Sequence, residues 1–262
     1  MYIFFRTLSA IGVITMIGGC LTIPNAQATP PQHYIAASTA LEFFNEGLEH
    51  AERGEYSDAI AAYSDAIAAN PDYTNAYIHR GLVHHDLANF NRAIADFNQA
   101  IRLDPTSAMA YNNRGEALTH LGDLEGAVAD LDRAIELDPN YAQAYINRGV
   151  TYAGVGDFDR ALADFTQAIE ADPTNADAYY NRARAYVELG IGDNALADYT
   201  QAIEINPNMA EAYGNRGILR AQLGDRQGGL DDLRHAAELF QSQGNWEQYE
   251  RTMGFIEAID PG

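Results

Sequence analysis

The chain has 262 residues and a mass of 28.7 kDa, and 47% of its residues are hydrophobic, which is enough for a continuous buried core. Its 16 basic side chains are all arginines, and 37 acidic residues give a formal charge of -21. That charge repels phosphate backbones and argues against nucleic-acid binding. The single cysteine, Cys20, excludes an intrachain disulfide and a cysteine-rich metal cage.

The N-terminal segment has the pattern of a secretory signal peptide. Arg6 is its one charged residue, an uncharged apolar run extends from Thr7 to Leu21, and the small-residue triplet Ala26-Gln27-Ala28 follows. The run is shorter than the roughly 20 residues that a membrane-spanning helix needs. We therefore predict a cleaved signal peptide over residues 1–28, no transmembrane span in the mature form, and export to a periplasm, cell envelope or equivalent lumenal compartment.

A second cleavage site competes with Ala28. The sequence Ile17-Gly18-Gly19-Cys20 resembles the lipobox of bacterial lipoproteins, in which the cysteine is lipidated and becomes the N-terminus. Lipidated Cys20 would attach the protein to a membrane, whereas cleavage after Ala28 would release it. Both alternatives stay open.

From Ala40 onward the sequence repeats with a period of 34 residues. Proline marks the end of the first five units, at Pro71, Pro105, Pro139, Pro173 and Pro207, and the sixth has Gln241 there. Numbering each unit from 1 to 34, an aromatic residue falls at position 4 and a small residue at position 8, so both lie on one helical face. After a break near position 15, alanine at 20 and 27 and a large apolar residue at 24 predict a second helix, which the proline ends. Each unit is therefore predicted to be an antiparallel helix hairpin.

These residues closely resemble the tetratricopeptide repeat family. Copies covering residues 40–73, 74–107, 108–141, 142–175, 176–209 and 210–243 carry the pattern. The resemblance implies an all-α fold, a right-handed superhelical solenoid of hairpins whose first helices line the concave face. Residues 29–39 are predicted to be a linker, and residues 244–262 a capping helix and tail.

Two charged positions recur together. Position 7 is arginine and position 23 is aspartate in repeats 2 to 6, whereas repeat 1 has Glu46 and Ala62. Joint presence and joint absence predict ion pairs, either within each hairpin or between one hairpin and the preceding one. Arginines free to bind a ligand are the alternative.

The candidate binding residues lie on the first helices. Asparagine is a poor helix-interior residue, yet it recurs at position 6, where its amide would suit the backbone of an extended peptide. The alternative is that each amide bridges neighbouring first helices. Position 5 and position 9 add apolar side chains at the N-terminal end, which the linker before Ala40 could instead cover. The predicted site residues are Asn45, His79, Asn113, Asn147, Asn181 and Asn215, with Phe44, Ile78, Ile146, Tyr180, Leu82 and Arg184.

Catalytic and metal sites are not predicted. His79 and His84 are five residues apart rather than the four that place a metal-binding pair on one helical face. Asp104, Asp138 and Asp172, each directly before a proline, follow the repeat and indicate turns, not a paired acid–base site. We therefore expect no cofactor and no enzyme activity, but a scaffold that binds another protein or peptide, with basic stretches favoured by the acidic surface. A lipid-anchored assembly factor for an outer-membrane or pilus-like complex is the alternative.

Overall fold

The computed structural model describes residues 32–260, and in this range every regular element is an α-helix. Consecutive helices pack as antiparallel pairs, α1 with α2 through α11 with α12, and α13 packs on α12. The helices are α1 (Gln32–Glu52), α2 (Tyr56–Ala69), α3 (Thr74–Asp86), α4 (Phe90–Leu103), α5 (Ala108–Leu121), α6 (Leu124–Leu137), α7 (Ala142–Gly154), α8 (Phe158–Ala171), α9 (Ala176–Glu188), α10 (Gly192–Ile205), α11 (Ala210–Gln222), α12 (Arg226–Ser242) and α13 (Trp246–Ile259).

Helix boundaries follow the repeat, with one exception at each end. Helices α3, α5, α7, α9 and α11 begin at position 1 of their repeats, and α2, α4, α6, α8 and α10 end two residues before the proline. Helix α12 lacks that proline and continues to Ser242. The predicted linker over residues 29–39 is wrong for residues 32–39, which form the start of α1. Nothing in this stretch breaks a helix, so the chain enters the first repeat already helical.

The core lies between the two helices of each hairpin and between neighbouring hairpins. The large residue at position 24 is at most 2% exposed in all six repeats, and the alanines at positions 20 and 27 are fully buried where they occur. The small residue at position 8 makes room for this large side chain. A Cβ added to Gly149 would lie 2.7 Å from the Phe165 ring, so a larger residue at position 149 would displace the phenylalanine ring.

Arginine at position 7 forms the predicted ion pairs within the hairpins of repeats 2 to 6. In every case Nε and Nη2 donate to the two carboxylate oxygens of the aspartate at position 23, at distances of 2.6–2.9 Å. The aspartate side chains are only 6–10% exposed. The five pairs are Arg80 with Asp96, Arg114 with Asp130, Arg148 with Asp164, Arg182 with Asp198 and Arg216 with Asp232.

The same arginines also connect successive hairpins. Each Nη1 donates to a polar side chain at position 25 of the preceding repeat, at 2.5–3.2 Å. One guanidinium thus joins three helices, its own and the second helices on either side. This arrangement fixes the register between repeats and leaves these arginines committed to the fold. The acceptors are Ser64, Asn98, Asp132, Thr166 and Thr200.

Candidate functional site

The first helices of the hairpins form the inner surface of the stack. Helices α3, α5, α7 and α9 touch one another in sequence, whereas the second helices of successive hairpins lie farther apart. The stack therefore curves with α1, α3, α5, α7, α9 and α11 on its inside. We call the exposed faces of these helices the inner surface.

A cleft of about 260 Å³ opens on this surface where α5, α7 and α9 meet. Ile146 forms an apolar part of its wall and is 4% exposed, whereas Val150 is 40% exposed and open to a ligand. Amides and carboxylates surround these two side chains. We call this the central cleft, and its lining residues are Glu116, Thr119, His120, Gln143, Ile146, Asn147, Val150, Asp177 and Asn181.

Hydrogen bonds between first helices hold the amide side of the central cleft. Asn147 Nδ2 donates to Asn112 Oδ1 at 3.0 Å and to Glu116 Oε2 at 3.4 Å, while Gln143 Nε2 donates to Asn147 Oδ1 at 2.9 Å. Asn112 Nδ2 in turn donates to Asn113 Oδ1 at 3.0 Å. The amide of Asn147 is therefore oriented by Gln143, one turn earlier in α7, and by Asn112 and Glu116 of α5. It bridges α5 and α7.

The other position-6 residues have different surroundings. Asn215 Nδ2 donates to the Tyr180 hydroxyl at 3.1 Å, which again bridges first helices. Asn181 Nδ2 donates to the Asp177 carbonyl within α9 at 2.9 Å. Asn45 is exposed. The bridging geometry accounts for Asn147 and Asn215, and peptide binding by these amides stays a prediction.

The apolar groove expected at the N-terminal end is closed by packing. Phe44 is 8% exposed, and its ring centroid lies 5.1 Å from those of both Tyr73 and His79. Ile78 is 3% exposed and packs with Ala100 and Ala110. Neighbouring hairpins cover these side chains because position 5 faces the next repeat.

Leu82 also contributes to packing between repeats. It is partly buried against the cluster that contains Ile78 and against the one that contains Phe97. Neither Leu82 nor the two buried residues at the N-terminal end lines the central cleft.

A second cleft lies toward the C-terminus. Tyr180, Arg184 and Asn215 line it together with Glu211 and residues of α13, and its volume is about 350 Å³. The Arg184 guanidinium carbon lies 5.8 Å from the Tyr180 ring centroid, within reach of a cation–π interaction. Burial raises the pKa of Tyr180 above its usual value, so this phenol stays protonated and able to donate.

Several lining residues were absent from the predicted set. Glu116, Gln143 and Asp177 supply charge and amide groups to the central cleft. They occupy positions 9 and 2 of the first helices of their repeats, and the family resemblance places first helices on the concave face. Their place on the inner surface therefore follows from their register in the repeat.

Comparison with known proteins agrees with the helical pattern. Family profiles described as TPR repeat match residues 47–87, 89–122 and 115–156, and one described as Tetratricopeptide repeat matches residues 146–210. The chain belongs to the tetratricopeptide repeat family. A search of the curated proteins found no match to it.

Solved tetratricopeptide repeat structures share the fold. MamA is 30% identical over 63% of this chain and 96% of its own, with a TM-score of 0.54. PilW, described as a type IV pilus biogenesis factor, is 22% identical, covers 86% of this chain and 100% of its own, and has a TM-score of 0.69. YrrB, described as having an unusual peptide-binding site, is 22% identical over 68% of this chain and 92% of its own, with a TM-score of 0.51.

Membership supports a role in protein interaction, since repeats of this family generally form scaffolds that bind peptides or proteins. Each helix between residues 32 and 260 lacks the length or the apolar stretch needed to cross a bilayer. The predicted cleavage sites at Ala28 and Cys20 lie outside the described residues.

Proposed function

We propose that this protein is a non-enzymatic scaffold that binds an extended segment of a partner protein in the central cleft. The observation that carries the proposal is the combination found there: an exposed apolar side chain, Val150, beside oriented amides and two carboxylates. An extended peptide presents alternating side chains and unpaired backbone groups, which such a surface can accept.

Charge indicates the kind of segment. Glu116 and Asp177 line the central cleft, Glu211 lines the second cleft, and the formal charge of the whole chain is -21. A basic segment is attracted over distance and meets these carboxylates on arrival. No arginine is among the described residues that line the central cleft, and the position-7 arginines are held in their ion pairs, so the central cleft offers no guanidinium to an acidic segment.

The proposal includes the place where the scaffold acts. Residues 1–28 have the charge and hydropathy pattern of a signal peptide. We therefore place the mature protein in a periplasm, cell envelope or equivalent lumenal compartment. Fractionation of the producing cells, with detection of the processed chain, tests this part separately.

Peptide selection tests the binding role directly. The purified protein is used to select ligands from a random peptide library, and the affinity of a selected peptide is measured by fluorescence anisotropy. We expect enrichment of basic peptides with apolar residues. Asp177→Arg in the cleft should lower affinity at least about tenfold, or about 1.4 kcal/mol.

Glu170→Arg is the matched control, because it makes the same charge reversal at an exposed position on α8. We expect this variant to retain most of the affinity, and circular dichroism should show unchanged helicity in both variants. Equal losses in the two variants, or selection of acidic peptides, would place recognition elsewhere.

A lipid-anchored assembly factor is the second candidate. It is favoured by the lipobox-like sequence ending at Cys20, and the structural neighbour PilW is described as a pilus biogenesis factor. Intact-mass measurement of the protein from its native membrane separates the two candidates. A chain beginning at a diacylated Cys20 supports the anchor, and a chain beginning at Thr29 excludes it.

A further inference from the structure

A cluster of metal-ligating side chains lies at the rim of the central cleft. His85 of α3 meets Glu116 and His120 of α5, and one ligand atom from each lies within 4.8 Å of the other two. Glu116 and His120 are four residues apart, which places both on one face of α5. His85 comes from the preceding repeat, so the cluster joins two hairpins.

His85 contributes a buried ring nitrogen that no neighbouring group within residues 32–260 satisfies. Its Nε2 is buried and has no hydrogen-bond partner among the described residues, and it lies 3.9 Å from Glu116 Oε1. A buried polar atom without a partner is costly and needs an explanation. A zinc ion with bonds of about 2.1 Å requires its ligand atoms to be about 3.4 Å apart. His85 Nε2 and Glu116 Oε1 would therefore approach each other by about half an ångström, and the distances to the His120 ligand atom, which are within 4.8 Å, would shorten by at most about 1.4 Å.

Each of the three side chains has a neighbouring group beside it. Glu116 Oε2 accepts from Asn147 Nδ2 at 3.4 Å, which leaves Oε1 on the side of His85. The His120 ring stacks on Phe90 at 4.6 Å with an interplanar angle of 7°. Asp86 Oδ1 lies 4.0 Å from His85 Nδ1. Contacts between neighbouring groups and metal-ligating side chains orient the ligands and raise the affinity for the metal.

The other comparable cluster is already satisfied. His50, Glu55 and Asp58 also lie close together, but His50 Nδ1 is 2.6 Å from Glu55 Oε2 and Arg53 Nε donates to the same oxygen at 2.9 Å. A guanidinium thus supplies the positive charge there. In the part of the chain that the structure describes, these are the two clusters of this kind, and the first differs from the second in having no guanidinium bound to its carboxylate.

We propose that His85, Glu116 and His120 bind a divalent ion of the zinc type. Two imidazoles and one carboxylate form a recurring protein ligand set for Zn²⁺, in which one tetrahedral position stays open for water or another donor. Sequence spacing alone pointed away from metal, since His79 and His84 are five residues apart. The proposed site instead takes its ligands from two neighbouring repeats. Metal binding there does not depend on the proposed peptide binding.

Zinc binding is tested by calorimetry on the purified protein without a histidine tag, after treatment with a chelator. At a pH of about 7.5 we expect one Zn²⁺ per chain. Co²⁺ titrated into the same protein should give visible absorption bands of a tetrahedral centre. Because the ion joins α3 to α5, saturating Zn²⁺ should also raise the unfolding temperature.

Variants distinguish this site from chance binding. His120→Ala and Glu116→Gln should each lower Zn²⁺ affinity at least about tenfold, since the loss of a group that only hydrogen-bonds to a metal ligand already costs about 10- to 100-fold. His50→Ala, in the cluster that Arg53 neutralises, should leave the affinity unchanged, and helicity is checked in all three. Absence of binding, or binding lost in His50→Ala and retained in the other two, would overturn the proposal.

Discussion

At the scale of single residues, Ala88 has a backbone conformation that its side chain opposes. Its φ is +55°, whereas the other repeats have glycine at position 15, with φ between +72° and +99°. The left-handed conformation costs an L-residue roughly 1–2 kcal/mol. Repeat 2 therefore retains strain that its neighbours avoid.

Replacing Ala88 with glycine should stabilise the protein. The relief of strain exceeds the entropy that glycine adds to the unfolded chain, so we expect a gain of about 0.5–1 kcal/mol in the free energy of unfolding. Ala95→Gly, in the exposed middle of α4, is the control and should cost about 1 kcal/mol. Urea denaturation of both variants checks this, and equal destabilisation would contradict it.

Two histidines make the stability depend on pH. Burial lowers the pKa of His79 and that of His84 below the ordinary value of 6.5. Asp96 opposes the shift at His84, while Arg80 and Arg92 add to it. The unfolded chain therefore binds more protons than the folded chain when the pH falls below about 6.5.

We expect the free energy of unfolding to fall as the pH drops from about 7 toward the folded pKa values of these two groups. His79→Asn with His84→Tyr introduces residues found at the same positions of other repeats, Asn147 and Tyr152. The double variant should lose this part of the pH dependence in urea titrations. An identical pH profile for both proteins would show that these histidines do not contribute.

At the scale of helices, the position-7 arginines determine how hairpins join. Asp198 is 9% exposed and binds both Nε and Nη2 of Arg182. The arginine reaches back to Thr166 in the preceding hairpin at 3.2 Å. Loss of the carboxylate would leave a mostly buried guanidinium without its counter-ion.

Asp198→Asn should therefore lower the free energy of unfolding by about 1–3 kcal/mol. Glu136→Gln is the control, because Glu136 pairs with Arg133 and these side chains are 65% and 45% exposed. It should change the free energy of unfolding by less than about 0.5 kcal/mol. Thermal and urea unfolding compare the two. Equal effects would mean that burial of the pair contributes little.

At the scale of the whole molecule, the large negative net charge affects the stability of the folded state. A formal charge of -21 produces self-repulsion that destabilises the compact state. The position-7 ion pairs are largely buried and are screened less than exposed charges.

Added salt should consequently stabilise the protein. Raising NaCl from about 10 mM to about 200 mM shortens the screening length from about 30 Å to less than 10 Å, and we expect the unfolding temperature to rise by roughly 2–4 °C. Calorimetry at both concentrations measures this. A fall in the unfolding temperature would show that attractive ion pairs outweigh repulsion.

The repeat, the hairpins and the family were readable from the sequence because their causes are local. Proline ends a helix wherever it occurs, and a 34-residue interval repeats this end together with the small and large residues that pack between helices. The start of α3 at Thr74 and its successors followed from that period. Helix α1 was missed over residues 32–39 because they precede the first marker.

Contacts between repeats were decided by the tertiary structure. Asn147 meets Asn112, and His85 meets Glu116, across 35 and 31 residues of sequence. Position in the repeat placed each residue on the inner surface, but the curvature of the stack determined which side chains came within bonding distance. The sequence by itself determined a solenoid of hairpins, whereas its cleft and its histidine cluster required neighbouring helices to pack together.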